Sequence, residues 1–405
     1  MITLAWRNLW RQRRRTLLTS AAIAVACMVM IFLLALQLGT YSTMKDNTLK
    51  VFDGFAQVQQ PGYLDDPGIR KTIEHPQALA DALRRLPGID AAAVRASTYA
   101  LLNHAQRSVG VYLVGVQPDA ERKASRIPRM LRQGHYLAAG RGAEVVIGTA
   151  LARNLRVKVG DTLTLLGSAR DGSVAADRLA VVGILGSGIS ALDRQLAEMP
   201  LLRFQDDFTM PDQAHVIVLS GTHLGGVDAA LPRARQLASA RGLAVRSWGE
   251  LQPGLKHAIQ LDASTSLLWY VSLVVVAIAL LLNTLLMSVL ERTREFGMLL
   301  ALGMRPGAIG RMVWLEILML LAIGLAVGIG VGAAVIGWFA VHGLTLPGTE
   351  DVFAQWGLPA QLYPRVDAWS LLSAPAAMAL CTAAAGVIPY LRIRRLQPVT
   401  AMRAA

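Results

Sequence analysis

Residues 16–44 read TLLTSAAIAVACMVMIFLLALQLGTYSTM, which is 29 residues without an Asp, Glu, Lys or Arg. A helix needs about 20 apolar residues to cross a bilayer, and the apolar part of a signal peptide is shorter, about 7–15 residues. At about 1.5 Å per residue this helix would be about 43 Å long, against a hydrocarbon core of about 30 Å. The stretch therefore predicts an uncleaved spanning helix that continues outside the bilayer as a stalk.

Three further stretches lack charged side chains, at 263–290, 317–349 and 368–391. The composition agrees with them, since AVILMFWYC residues make up 54% of the 405 residues and charged residues 17%, against about 25% charged in a soluble domain. A soluble core of this length cannot bury so much apolar surface. We expect an α-helical membrane protein with four transmembrane helices, at 16–44, 263–290, 313–341 and 368–391.

The arginines indicate how these spans are oriented. Thirteen of them lie in three short segments, 1–15, 291–312 and 392–405, whose acidic residues are Glu291 and Glu295. Short cytoplasmic segments carry such an excess of Lys and Arg. We therefore place an amphipathic N-terminal helix, a loop and a tail in the cytoplasm. The net charge of +13 is then a topology signal, and no nucleic-acid partner is expected.

Residues 45–262 then form one large block outside the cytoplasm. Short runs of Val, Leu and Ile bounded by Gly, Asp or Pro predict strands, and apolar residues at helical spacing predict helices. The predicted strands are 109–116, 145–147, 162–166, 179–185 and 215–219, and the predicted helices are 77–86, 150–157 and 227–241. We expect a large α+β domain here, and an irregular second outside loop at 342–367, which contains three prolines.

Motifs for catalysis and for cofactor binding are absent from the sequence. None of the six lysines follows a glycine, as the nucleotide-binding Gly-Lys-Ser/Thr loop requires, and there is no His-Glu-x-x-His or Gly-x-Ser-x-Gly. Both cysteines, Cys27 and Cys381, lie inside predicted spans. We expect no catalytic residue, metal site or cofactor on this chain, and substrate-contacting residues stay unknown.

Glycines recur every four residues in the third predicted span, at Gly324, Gly328 and Gly332. This spacing leaves one smooth helix face that another helix can approach closely. The fourth span also carries small residues, including Ala374 and Gly386. We expect the two spans of one chain to pack here, with pairing between two subunits as the alternative.

Residues 291–307, ERTREFGMLLALGMRPG, join the second and third spans. Apolar residues Phe296, Leu299, Leu300 and Leu302 occur at near-helical spacing opposite Arg292 and Glu295, and glycine and proline then end the helix. The pattern predicts a short amphipathic cytoplasmic helix. It either lies on the membrane with its arginines on lipid headgroups or docks in a groove on a cytoplasmic partner.

Residues 291–316 resemble the coupling segment of the MacB/LolC/LolE/FtsX-like ABC transporter permeases. The family pattern is Arg-x-Arg-Glu-hydrophobic-Gly followed by Ala-hydrophobic-Gly, and 292–297 and 301–303 match it. Three more regions support the resemblance, namely an N-terminal elbow helix at 5–16, periplasmic core sequence at 145–163 and 181–185, and the ending at 392–403.

The resemblance implies a stand-alone permease subunit of the mechanotransmission type, called type VII, in the bacterial inner membrane with its large domain in the periplasm. A dimer of separate ABC ATPase subunits would bind ATP and Mg, and a second permease, a copy or a paralogue, would complete the complex. Phe296 and Leu300 would insert into an ATPase groove. The implied coupling residues are Glu291, Arg292, Arg294, Glu295, Phe296, Gly297, Leu299, Leu300, Leu302 and Gly303.

The resemblance is compatible with three functions. The first is extraction of lipoprotein or lipid from the inner membrane, with a periplasmic lipoprotein carrier as a possible partner besides the membrane lipids. The second is MacB-like export of peptides or toxic compounds through a tripartite assembly. The third is FtsX-like signalling to a periplasmic hydrolase.

The predicted orientation can be tested with single cysteines at Arg13, Arg305, Arg394 and Asp171. After permeabilisation of the outer layer only, a membrane-impermeant thiol reagent should label position 171 and spare the other three, because positive segments stay inside. The measurement is mass-tag labelling in intact cells, with lysed cells as the control for reactivity. Labelling of position 305 before lysis would overturn the four-span topology.

Overall fold

The structure is a computed structural model that describes residues 2–11, 13–345, 347–348, 361–365, 368–387 and 391. The chain divides into two compact units. Residues 1–44 and 257–405 are called the membrane unit, and residues 45–256 the domain unit. Each unit has its own apolar core among the described residues.

The helices of the described chain are α1 (Ile2–Arg11), α2 (Arg13–Leu49), α3 (Pro76–Arg84), α4 (Pro118–Ala124), α5 (Thr149–Leu155), α6 (Ser190–Gln195), α7 (Leu201–Asp207), α8 (Leu224–Ser239), α9 (Trp248–Leu251), α10 (Pro253–Glu291), α11 (Thr293–Ala301), α12 (Pro306–His342) and α13 (Ala368–Ala385).

The strands are β1 (Ala56–Gln59), β2 (Ile73–Glu74), β3 (Ala91–His104), β4 (Arg107–Val116), β5 (Leu131–Gly134), β6 (Glu144–Gly148), β7 (Thr162–Ser168), β8 (Val174–Leu185), β9 (Leu196–Pro200), β10 (Gln213–Ala214), β11 (Val216–Ser220), β12 (Ala244–Ser247), β13 (Leu344–Thr345) and β14 (Gln361–Leu362).

Three helices of the described chain are long and apolar enough to cross a membrane, at Arg13–Leu49, Pro253–Asn283 and Pro306–His342. Helix α13 is apolar but has only 18 residues, and residues 388–390 of the predicted fourth span lie outside the described residues. Four spans therefore stay a prediction. Helices α2 and α10 have 37 and 39 residues, more than the predicted spans, and each includes residues of both units.

One apolar cluster joins the long helices of the membrane unit. It combines Ile23, Cys27, Met30, Ile31 and Ala35 of α2, Ala277 and Leu281 of α10, Ile317, Leu321 and Ile336 of α12, and Ala374 and Met378 of α13. Helices in a bilayer gain little from the hydrophobic effect between them, so close packing has to hold such a cluster together.

The glycine face of α12 packs against α2. A Cβ built on Gly324 would lie 2.7 Å from the Cβ of Ile23, and one on Gly328 would lie 2.7 Å from the Cβ of Cys27. At Gly332 the approach is looser, with 3.6 Å to Ile31. The prediction that this face packs against the fourth span is therefore wrong, because the face lies against α2. Helix α13 meets α12 elsewhere, where the Trp314 Nε1 donates to the Ala383 carbonyl at 3.4 Å.

The domain unit is built on a ten-stranded sheet in the order β12-β1-β11-β3-β4-β9-β6-β8-β5, with β7 paired to β3 and β8. Helices α3, α5, α7 and α8 contribute apolar residues to the main core of this unit. The α+β character expected from the strand and helix patterns is present here.

Strand β3 is 14 residues long and is not predicted by the hydrophobic pattern. Two causes explain this. It starts with three alanines, which favour strands weakly, and residues 91–97 are all buried, so the alternation of apolar and polar residues that marks a strand is missing. Within residues 342–367, for which the sequence predicts an irregular loop, β13 and β14 pair over two residues.

Substitution of Gly328 by Ala should separate α2 from α12. The new Cβ would also lie 2.8 Å from the carbonyl oxygen of Ala24, and backbone cannot yield as a flexible side chain does, so we expect a loss of about 1–3 kcal/mol. The measurement is the thermal unfolding midpoint of the full chain in lipid nanodiscs. The control is Gly330→Ala, whose Cβ would meet no described atom within 4 Å. Equal midpoints for the two variants would contradict this account of the glycine face.

Candidate coupling site

The predicted coupling helix is α11, a nine-residue helix between α10 and α12. It ends where Gly303 adopts φ +90°, a backbone conformation that favours glycine. Pro306 then begins α12, since proline suits the first turn of a helix. Glycine and proline thus set the short connection that the sequence pattern indicates.

Phe296 of α11 faces the chain's own helices. Its side chain is 1% exposed, in a cluster with Ala5 of α1, Val289 of α10, and Ile309, Met312 and Val313 of α12. This burial contradicts the expectation that Phe296 inserts into a groove on another protein. Leu299 and Leu300 are half-buried against the same cluster, and Gly297 is also buried.

The outer side of α11 is apolar as well. Leu302, just past the helix, is 85% exposed and Met298 is 53% exposed. The two residues are four apart, so they lie on one side of the helix. Met298 was not among the predicted coupling residues, although its i, i+4 spacing to Leu302 is a signal that finds it.

A half-buried ion pair connects the start of α11 to α12. The Nη1 of Arg292 lies 3.3 Å from the Oε2 of Glu316, and these side chains are 14% and 11% exposed. Glu316 also accepts a hydrogen bond of 3.0 Å from the Nδ2 of Asn8 in α1. Arg292 was predicted as a coupling residue, whereas Glu316 and Asn8 were not, because their meeting depends on how three helices pack.

Exposed ion pairs connect the N-terminal helices to the same segment. Arg11 contacts Glu295 at 3.3 Å and Arg15 contacts Glu291 at 2.9 Å. Pairs this exposed contribute at most about 1 kcal/mol each. Arg294 is exposed. The predicted coupling residues that contact other parts of this chain are therefore Glu291, Arg292, Glu295, Phe296, Leu299 and Leu300.

At the other end of α2, a polar cluster connects it to α10. The Nε2 of Gln37 donates to the Tyr41 hydroxyl at 2.7 Å and to the Ser266 Oγ at 2.6 Å. Its Oε1 accepts from the Tyr270 hydroxyl at 2.7 Å, and the Tyr41 hydroxyl donates to Asp262 at 2.5 Å. These hydrogen bonds hold α2 and α10 together, and we call these five residues the polar clamp.

Comparison with known families shows what kind of protein this is. Residues 16–236 match the MacB-like periplasmic core domain, and residues 268–398 match the FtsX-like permease C-terminal domain. The chain belongs to this family of ABC transporter permeases. The second match includes α11 and the whole of α12, so the candidate coupling site lies in the FtsX-like permease part.

Two curated relatives and one solved structure are similar to this permease. The lipoprotein-releasing system transmembrane protein LolE of Haemophilus influenzae is 26% identical over 344 residues, which are 81% of this chain and 80% of that protein. LolC of Neisseria meningitidis serogroup B is 23% identical over 300 residues, or 73% and 70% of the two chains. The periplasmic region of MacB from Actinobacillus actinomycetemcomitans has a TM-score of 0.38 and 14% identity, with 51% of this chain and 94% of that one covered.

Loss of Glu316 should loosen α11 from α12, since Glu316→Ala leaves Arg292 with Glu295, at 3.4 Å, as its remaining acidic partner and removes the carboxylate to which Asn8 donates. Removing one partner of such a pair costs about 3 kcal/mol, against at most about 1 kcal/mol for the exposed pair that Glu291→Ala removes. The measurement is hydrogen exchange of residues 292–303 in the full chain. Faster exchange in Glu291→Ala than in Glu316→Ala would contradict the assignment.

Proposed function

We propose that this permease converts ATP hydrolysis by separate ATPase subunits into movement of its domain unit, outside the cytoplasm, and that its cargo is lipoprotein or lipid taken from the inner membrane. ATP and Mg would be bound by the ATPase dimer, since the chain lacks a Gly-Lys-Ser/Thr loop. A second permease, either a copy or a paralogue, would complete the complex.

The observation that carries the proposal is the two-sided apolar character of α11. One side is buried through Phe296, and the other exposes Met298 and Leu302. Contiguous exposed apolar residues rimmed by polar ones mark interaction surfaces; the exposed Arg294 lies four residues before Met298, and the exposed Arg305 three residues after Leu302. On this proposal the ATPase groove takes Met298 and Leu302 rather than Phe296.

The buried side of α11 offers a path for movement. The Phe296 cluster includes Val289 of α10 and Ile309 of α12. A displacement of α11 by a partner bound to its outer side would therefore also displace both long helices. The polar clamp then makes α2 and α10 move together at their far ends. Packed, hydrogen-bonded contacts of this kind transmit displacement because they have few alternative arrangements.

Lipoprotein or lipid is favoured as cargo by the relatives, whose names describe lipoprotein-releasing systems. MacB-like export is the second candidate, because the match to the MacB-like periplasmic core domain spans residues 16–236. The complex purified from its native membrane should distinguish them: an acylated polypeptide found by mass spectrometry supports the first, and an unacylated peptide or small molecule supports the second.

Docking can be tested by Leu302→Ala and Met298→Ala. Truncation of an interface hot spot costs about 2 kcal/mol or more, about 30-fold in affinity, so both variants should lose the co-expressed ATPase on purification and lose coupled ATP turnover. Their unfolding midpoints should stay unchanged, because neither side chain is buried. Phe296→Ala should also lose the ATPase, but with a lowered midpoint, since it leaves a cavity.

The matched control is Arg294→Ala, which removes an exposed charge from the same helix. If α11 only lies on lipid headgroups, this variant should have the largest effect, because a cation near an acidic membrane surface contributes about 1 kcal/mol. Normal ATPase retention in both Leu302→Ala and Met298→Ala would refute the docking assignment.

A further inference from the structure

A cavity of about 370 Å³ lies on one face of the large sheet in the domain unit. Sites for small ligands have volumes of about 300–1,000 Å³. The strands place its lining by register, since Gln59 of β1 pairs with Val216 of β11, and Val216 pairs with Arg95 of β3. Ala56 and Val58 of β1 belong to the core on the opposite face, which is why Gln57 and Gln59 point to the cavity side.

Gln59 is the unusual group in this lining. Its side chain is 1% exposed, and neither the amide nitrogen nor the amide oxygen has a hydrogen-bond partner among the described residues. An unpaired buried polar group costs about 1–3 kcal/mol, so packing alone favours an apolar residue at this position. A primary amide with both functions unpaired is complementary to a group that both donates and accepts a hydrogen bond.

The wall beside Gln59 is aromatic. The rings of Phe52 and Tyr112 have centroids 6.4 Å apart, and those of Tyr112 and Tyr99 are 5.4 Å apart. Tyr99 is 70% exposed, so this row of rings begins at solvent, and all three rings line the same cavity as Gln59. Aromatic rings with polar edges suit a ligand that is partly apolar.

The charges in the lining are already compensated. Of the described residues that line the cavity, the charged ones are Asp53 and Arg95. Arg95 makes two hydrogen bonds to Glu121, at 2.9 and 2.6 Å, and a third to the Phe52 carbonyl at 2.6 Å. Burial raises the pKa of Asp53, and the Asp53 carboxyl accepts a hydrogen bond from Gln252. Both charged side chains of the lining therefore already have partners within the domain unit, which disfavours an ionic ligand.

We propose that this cavity binds an uncharged stretch of extended peptide, with the Gln59 amide paired to the backbone of one peptide residue and an apolar side chain against Phe52, Tyr112 and Tyr99. An extended residue presents its own N–H and C=O on the same side, and these match the two unpaired functions of Gln59. The inference goes beyond the proposed function and does not rest on it, because every described lining residue lies in the domain unit.

The test is calorimetric titration of the full chain, in nanodiscs, with the capped dipeptide N-acetyl-Leu-Phe-amide. Saturable binding is expected for the wild type, weakened about tenfold or more by Gln59→Leu and weakened also by Tyr99→Ala. The control Val174→Ala changes an exposed residue of β8 outside the cavity and should bind as the wild type does. Uncapped Leu-Phe, which carries two charges, should bind more weakly than the capped form.

The unfolding midpoint separates binding from packing. Gln59→Leu removes an unpaired buried amide at similar volume, so the variant should be as stable as the wild type or more stable. Weaker binding with an undiminished midpoint supports the proposal. Absence of saturable binding by the wild type, or equal binding by Gln59→Leu, would overturn it. Tighter binding of N-butylhexanamide, an acyl amide without a peptide side chain, would also overturn the peptide assignment.

Discussion

The hydrocarbon core of a bilayer contains no water to pair with backbone N–H and C=O groups, and the rest of the membrane unit depends on this constraint. It requires unbroken helices where the chain crosses, which α2, α10 and α12 provide. The same environment removes most of the hydrophobic drive between helices. Specific contacts therefore decide how they pack. Here these are the approach of Gly324 and Gly328 to α2, the polar clamp, and the pair between Arg292 and Glu316.

The position of α11 follows from these contacts. A nine-residue helix has little stability of its own in water, so it must be held by its surroundings. Phe296 supplies apolar burial on one side, and Arg292 supplies a polar connection to α12. The remaining side has no need to pack within the chain, and this leaves Met298 and Leu302 exposed. Burial and exposure on one helix are thus two consequences of the same packing.

The two faces of the sheet in the domain unit also differ, since one is packed with apolar residues and the other carries polar ones. One face of β1, β3 and β11 carries the main apolar core, which accounts for burial of Ala56, Val94 and Ile217. The other face carries Gln59, Arg95 and Tyr99, whose polar atoms need partners. Arg95 finds its partner in Glu121, whereas Gln59 is unpaired among the described residues. The contrast between these two residues of one sheet face distinguishes a structural polar group from a candidate binding group.

Length and charge patterns in the sequence were enough to predict the long helices, the large α+β block between them and the short amphipathic segment at 291–307, because helical period and apolar length are local properties. Motif resemblance was enough to predict the family. Local patterns did not indicate which side of α11 is buried, because Phe296 and Leu302 are both apolar and only neighbouring helices distinguish them. Tertiary structure likewise decided the partner of the glycine face and the pairing of Arg292 with Glu316, since in each case packing brings residues distant in sequence within a few ångströms. It also decided that the Gln59 amide is unpaired, because burial and hydrogen-bond partners depend on the surrounding strands.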